Sequence, residues 1–196
     1  MENRIATVER ITKETRIILT LNLDGTGKCE CNTGIGFFDH MMTGFAKHGL
    51  FDLNLVCEGD LEVDTHHSIE DVGIVLGQAI KKAVGEKKGI KRYGHYTLPM
   101  DEALILCALD LSGRPYYVSD VKYTAERIGE LETEMFAEFF YAISYEAAMN
   151  LHFKQLSGSN NHHIAEASFK AFAKALDMAT SYEPRMQDVW STKGTL

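Results

Sequence analysis

The chain writes one motif twice. His66-His67-Ser68-Ile69-Glu70 recurs as His162-His163-Ile164-Ala165-Glu166, 96 residues further on in a chain of 196. Self-similarity at a fixed period marks a repeated structural unit, so a copy at about half the chain length restricts the fold to two similar units. The repetition extends upstream. Residues 13–25 align with residues 101–113 at an offset of 88, each apolar stretch ending at Asp24-Gly25 or Ser112-Gly113. That pattern is a strand entering a hairpin turn, and strands over 28–32 and 116–123 continue it. Residues 37–48 and 136–146 carry apolar residues at helical spacing. Strands over 51–57 and 149–155 follow, and helices over 70–84 and 165–179 open at the motifs. Each half reads strand, strand, helix, strand, helix. The expected fold is α+β, an internal duplication in which each half is a β-sheet with two helices packed on one face. The halves are 1–92 and 93–196, the second with a polar C-terminal tail, joined in one compact unit.

His and Glu at i and i+4 share a helix face, so His66 with Glu70, and His162 with Glu166, can meet one metal ion. The neighbouring His67 and His163 point about 100° away and serve a second ion, or one shared with another repeat or subunit. His40 and Glu138 occupy matching places in the preceding helices. With the six motif residues they give about four ligands for each of two sites that mix both halves. Nitrogen and carboxylate donors without thiolates suit octahedral Mn, Fe or Ni, with Mn preferred, better than a closed structural zinc.

Basic residues form a second constellation: Arg92, Arg114, Lys170 on the face of Glu166, and Lys193. Arg binds phosphate bidentately and Lys supplies a point charge. They matter because the net charge is −8, which disfavours nucleic acid and anionic membranes as partners, so an anionic substrate needs a local cation cluster. Glu14 and its counterpart Glu102 begin the matched strands. His95 reads as surface and His152 as part of a strand. Residues 1–4 lead into no apolar run, so no signal peptide is expected. No stretch approaches a membrane-spanning length. Cys29, Cys31, Cys57 and Cys107 form no C-x-x-C pair and read as reduced thiols of a cytoplasmic protein. Residue types alone name no substrate, and a dinuclear metal hydrolase and a non-catalytic metal assembly both stay open.

A set of motifs narrows this. Phe37-Phe38-Asp39-His40-Met41, Asp64-Thr65-His66-His67-Ser68-Ile69-Glu70-Asp71, Pro99-Met100-Asp101-Glu102-Ala103, Asp110-Leu111-Ser112-Gly113-Arg114-Pro115 and Asn161-His162-His163-Ile164-Ala165-Glu166-Ala167 together resemble the imidazoleglycerol-phosphate dehydratases of histidine biosynthesis. The resemblance spans residues 4–194 and leaves no room for an added phosphatase domain. It implies dehydration of D-erythro-imidazoleglycerol phosphate to imidazole-acetol phosphate, through a metal-bound imidazolate and a diazafulvene-like intermediate. It also implies two Mn²⁺ per subunit and a 24-subunit homo-oligomer with active sites at subunit contacts. The implied metal ligands are His40, His66, His67, Glu70, Glu138, His162, His163 and Glu166, with Glu138 standing where some members have His. The implied substrate contacts are Glu14, His40, His48, His66, Arg92, Arg114, His162, Lys170, Ser191 and Lys193. Glu14, Glu70 and Glu166 are the implied catalytic carboxylates, Glu14 as the base. Thr43-Gly44 departs from the Asp-Gln of many members, which removes a Gln contact to the phosphate.

Overall fold

The computed structural model describes residues 4–196; residues 1–3, part of the signal-peptide reading, lie outside them. Strands β1 (Ile5–Ile11), β2 (Thr15–Asn22), β3 (Cys29–Asn32) and β4 (Asp52–Gly59) form the first sheet, with helices α1 (Gly36–Gly49) and α2 (His66–Val84). The second half repeats the order with β5 (Tyr93–Met100), β6 (Ala103–Asp110), β7 (Tyr116–Ser119), α3 (Met135–Glu146), β10 (Asn150–Ser157) and α4 (Asn161–Thr180). A short hairpin, β8 (Arg127–Ile128) and β9 (Leu131–Glu132), is inserted before α3. The sheet orders are β1-β2-β4-β3 and β5-β6-β10-β7, so the α+β duplication holds in topology.

Two features of the sequence reading change. Each half begins with one more strand than expected. β1 and β5 lie at sheet edges, paired on one side only, where a Pro such as Pro99 is tolerated and period-two alternation weakens. The turn after β2 is also not a hairpin. β3 crosses the place later filled by β4 and pairs with β4 in parallel, Cys31 opposite Leu55. The hairpins are instead β1-β2 and β5-β6, and they carry Glu14 and Glu102 in their turns.

Alternation sends Ile17, Leu19 and Leu21 of β2, and Ile105, Cys107 and Leu109 of β6, to the buried face of each sheet. That face receives the helices. α2 packs against α3 and α1 against α4, so the helices lie between the sheets and the outer sheet faces stay bare. The two seams differ. At α2–α3, a Cβ on Gly73 would stand 2.8 Å from the Phe139 carbonyl oxygen, and one on Gly77 2.7 Å from the Glu146 Cβ; only glycine permits this approach. At α1–α4 the contact is aromatic, with Phe45 stacked on Phe172 at 5.6 Å. Phe38, Phe139 and Phe169 join both seams, Phe139 and Phe169 stacked at 5.3 Å.

Candidate active site

Both motifs sit in the first turn of a long helix. Asn160 caps α4, its side-chain oxygen accepting the backbone N–H of His162 at 2.9 Å and of His163 at 3.3 Å. This satisfies two of the N–H groups that a helix start leaves open. α2 is capped more weakly: Thr65 makes no side-chain cap, and Asp64 accepts only the His66 N–H, at 2.8 Å. Adjacent histidines diverge as helix geometry requires. The ring planes cross at 73° for His66 and His67 and at 83° for His162 and His163.

The α4 end gathers donors. His162 Nε2 lies 3.0 Å from Glu166 Oε2, and His40 Nε2 reaches across from α1 to 3.5 Å from the same oxygen. Lys170 Nζ takes the other oxygen at 2.6 Å. Burial works against the charge on Glu166, but Lys170 and then His162 overcome it and hold the carboxyl below its usual range. Phe37 packs edge-on against the His162 ring, centroids 5.1 Å apart. Among the described residues, His40, His162 and Glu166 are the group whose ligand atoms all lie within 4.8 Å of one another. Two imidazole nitrogens and a carboxylate oxygen at this spacing fit a divalent cation such as Mn²⁺. His48, further along α1, is half-buried. Burial first, then Lys170 and Lys174, depress its pKa.

The α2 end is more open. His66 Nε2 stands 3.7 Å from Glu70 Oε2, both side chains more than two-fifths exposed. His67 Nδ1 donates to Asp60 Oδ2 at 2.9 Å, and Glu14 Oε2 lies 3.9 Å from the same nitrogen. The Asp60 bond raises the His67 pKa. In the second half, His163 Nδ1 donates to Glu102 Oε2 at 2.8 Å, while its Nε2 lies 3.5 Å from Asp101 Oδ2. Glu102 also accepts the backbone N–H of Asn160 at 2.7 Å and of Ser159 at 3.1 Å. The His163 bond, then these two, depress its pKa to about 2.

Of the eight expected ligands, then, three meet within one chain. His66 and Glu70 form an incomplete pair. His67 and His163 face carboxylates on their Nδ1 sides. Glu138 sits on α3, outside the His40 group.

The basic residues divide. Lys170 stays with Glu166, whereas Arg92, Arg114, Ser191 and Lys193 line a separate cavity of about 590 Å³ with Trp190. Within it Arg92 is engaged: Nε and Nη2 donate to Asp110 at 2.7 and 3.0 Å, and Nη1 donates to the Trp190 carbonyl. Arg114 is exposed. Arg92 N–H bonds to the Ala179 carbonyl near the far end of α4. At 1.5 Å rise per residue, that end lies on the order of 25 Å from His162. His95 and His152 are both exposed, on β5 and β10. Asp60 escaped the sequence reading because the place matching it in the second motif, Leu156, is not acidic.

Fold and clusters define a duplicated α+β protein that presents paired imidazoles and carboxylates at the starts of α2 and α4. A model of the family described as imidazoleglycerol-phosphate dehydratase matches residues 33–176. Imidazoleglycerol-phosphate dehydratase of Lachnoclostridium phytofermentans is 63% identical, over 99% of both chains. That of Acetivibrio thermocellus is 60% identical, over 96% of this chain and 97% of its own. The crystal structure of the Staphylococcus aureus enzyme superposes with a TM-score of 0.83 at 36% identity, covering 91% of this chain and 99% of that one. The Pyrococcus furiosus enzyme in complex with (S)-C348 gives 0.83 at 37%, over 96% and 100%. The chain belongs to the imidazoleglycerol-phosphate dehydratase family, hydro-lyases of histidine biosynthesis.

Proposed function

We propose that the protein dehydrates D-erythro-imidazoleglycerol phosphate to imidazole-acetol phosphate with Mn²⁺, at sites shared between copies of the chain. The observation that carries this reading is the convergence of His40, His162 and Glu166 from two helices at one end of the molecule. His66, His67, Glu70, Glu138 and His163 complete the proposed ligand set, two ions per subunit. Bound there, Mn²⁺ supplies Lewis-acid stabilisation to the substrate ring nitrogens.

The chain's own groups do the rest. The carbinol hydroxyl next to the ring leaves as water with the proton given up by the ring N–H, giving a diazafulvene-like ring that acidifies the next C–H. Glu14, on the β1–β2 turn and more than half exposed, takes that proton. The resulting enol tautomerises to the ketone. Glu70 and Glu166 hold the imidazole side of the site. Lys170 neutralises Glu166 and presents charge to the substrate, with His48 behind it. Arg114, Ser191 and Lys193 hold the phosphate, and Arg92 anchors their cavity through Asp110 and Trp190.

The length of α4 supports sharing. A three-carbon chain between ring and phosphate cannot bridge His162 and the Arg114 cavity of one molecule, so a second copy brings them together. The bare outer sheet faces, with Ile11, Ile18 and Val56 exposed, offer surface for a homo-oligomer, proposed to hold 24 copies. A cytoplasmic location is part of the reading, supported by the four free cysteines.

Turnover of imidazoleglycerol phosphate is expected with Mn²⁺, is lost on chelation and returns with added metal. Turnover by the chelated protein overturns the metal reading. Co-assembly of inactive His162→Ala and Arg114→Ala chains is expected to restore part of the activity, and no recovery overturns sharing.

A further inference from the structure

The duplicated carboxylates Glu14 and Glu102 occupy equivalent hairpin turns, yet they stand differently towards equivalent histidines. Glu102 bonds His163 Nδ1 at 2.8 Å and is pinned by two backbone N–H groups. Glu14 remains 3.9 Å from His67 Nδ1, because Asp60, from the end of β4, already takes that nitrogen at 2.9 Å. Asp60 is mostly buried, its side chain 18% exposed. Its second oxygen is buried with no hydrogen-bond partner. A carboxylate that gives up half its hydrogen-bonding capacity to hold one imidazole is a costly arrangement, and its function needs explaining.

We propose that Asp60 is the positioning residue for His67, doing in the first half what Glu102 does for His163 in the second, and thereby leaving Glu14 unengaged for proton transfer. A carboxylate on Nδ1–H fixes the tautomer with the lone pair on Nε2 and sets the ring orientation. Partners of this kind orient metal-bound histidines and typically change metal affinity by roughly 10–100-fold when removed. Both histidines are held through the same nitrogen, so both present Nε2. Duplication supplied one carboxylate per half at the hairpin turn. The first half transferred the holding task to a residue with no acidic counterpart in the second, and Glu14 was released from it.

The inference rests on the proposed metal reading, and the test separates the two. Mn²⁺ alone is titrated into purified wild-type, Asp60→Ala, Asp60→Asn and Glu14→Gln proteins, following free Mn²⁺ by electron paramagnetic resonance. Asp60→Ala is expected to weaken one class of site roughly 10–100-fold. Asp60→Asn, whose amide oxygen still accepts Nδ1–H, recovers most of that loss, and Glu14→Gln binds like wild type. Equal affinity in Asp60→Ala and wild type overturns the inference. So does loss of Mn²⁺ affinity in Glu14→Gln equal to that in Asp60→Ala. Metal-free crystals of Asp60→Ala give an arm independent of the metal. A His67 ring turned from its wild-type orientation supports positioning, and an unmoved ring overturns it. Wild-type protein that binds no Mn²⁺ fails the metal reading, while the ring orientation still decides the role of Asp60.

Discussion

The two helix starts that carry the motif are copies in sequence and unequal in structure. At α4 the motif is capped twice by Asn160, joined by His40 and neutralised by Lys170. At α2 the cap is single, Glu70 is half-buried, and among the described residues no third ligand atom joins His66 and Glu70. Duplication preserved the residue types and let their surroundings diverge. One end gathers three of its donors within a chain, whereas the other brings together only His66 and Glu70. The hairpin carboxylates diverged in the same sense, Glu102 becoming an anchor and Glu14 staying open. The seams between the halves diverged too, one closed by glycine and the other by stacked phenylalanines.

The largest effect expected from breaking these contrasts is at the carboxylates. Glu14→Gln should lower kcat by roughly 10²–10⁴ with Mn²⁺ still bound, whereas Glu102→Gln should act mainly on stability. Near-normal kcat in Glu14→Gln removes it as the base. Next come the seams. Phe45→Ala empties the α1–α4 contact and should cost about 3–5 kcal/mol. Gly73→Ala wedges α2 from α3 and should cost about 1–3 kcal/mol. Denaturant unfolding of both variants checks the order. At the helix starts, Asn160→Ala should cost about 1 kcal/mol and Asp64→Ala less, since Asn160 serves two N–H groups and Asp64 one; equal losses would erase the contrast in capping.

The smallest effect is in pH. The Glu102 carboxyl has a depressed folded pKa, about 2 against 4.5. Its contribution is therefore present above pH 4.5 and fades as the pH falls towards 2. The His163 pKa is raised by the same bond, so its contribution is full below its ordinary value of 6.5 and is lost as the pH rises through the folded value. Thermal unfolding of metal-free Glu102→Gln should lose both slopes relative to wild type.

Much of this was legible in the sequence, because the motif, its helix and the strand before it recur in the same order in both halves, each with a periodicity that can be read. Helix geometry alone gave the divergence of adjacent histidines. The edge strands β1 and β5 were missed because a strand paired on one side needs less regular alternation. The β2–β3 connection was misread because a turn sequence does not say which strand will later fill the gap. Arg92 reads as a phosphate contact from its type and place, and only the fold shows Asp110 and Trp190 taking three of its five N–H donors. Asp60 has no acidic repeat partner, so comparing the halves passes over it.

The helix contacts between the halves have one further consequence. α2 meets α3 and α1 meets α4 in the related arrangement that two copies of a half-length chain would use in an isologous dimer. Here both partners hang on one backbone, and the loop from Gly85 to Arg92 is the tether. The encounter is therefore intramolecular, at an effective concentration set by that loop and not by how much protein is present. The interior of this molecule should assemble in a first-order step whose rate is indifferent to dilution, even where the joining of whole chains is not.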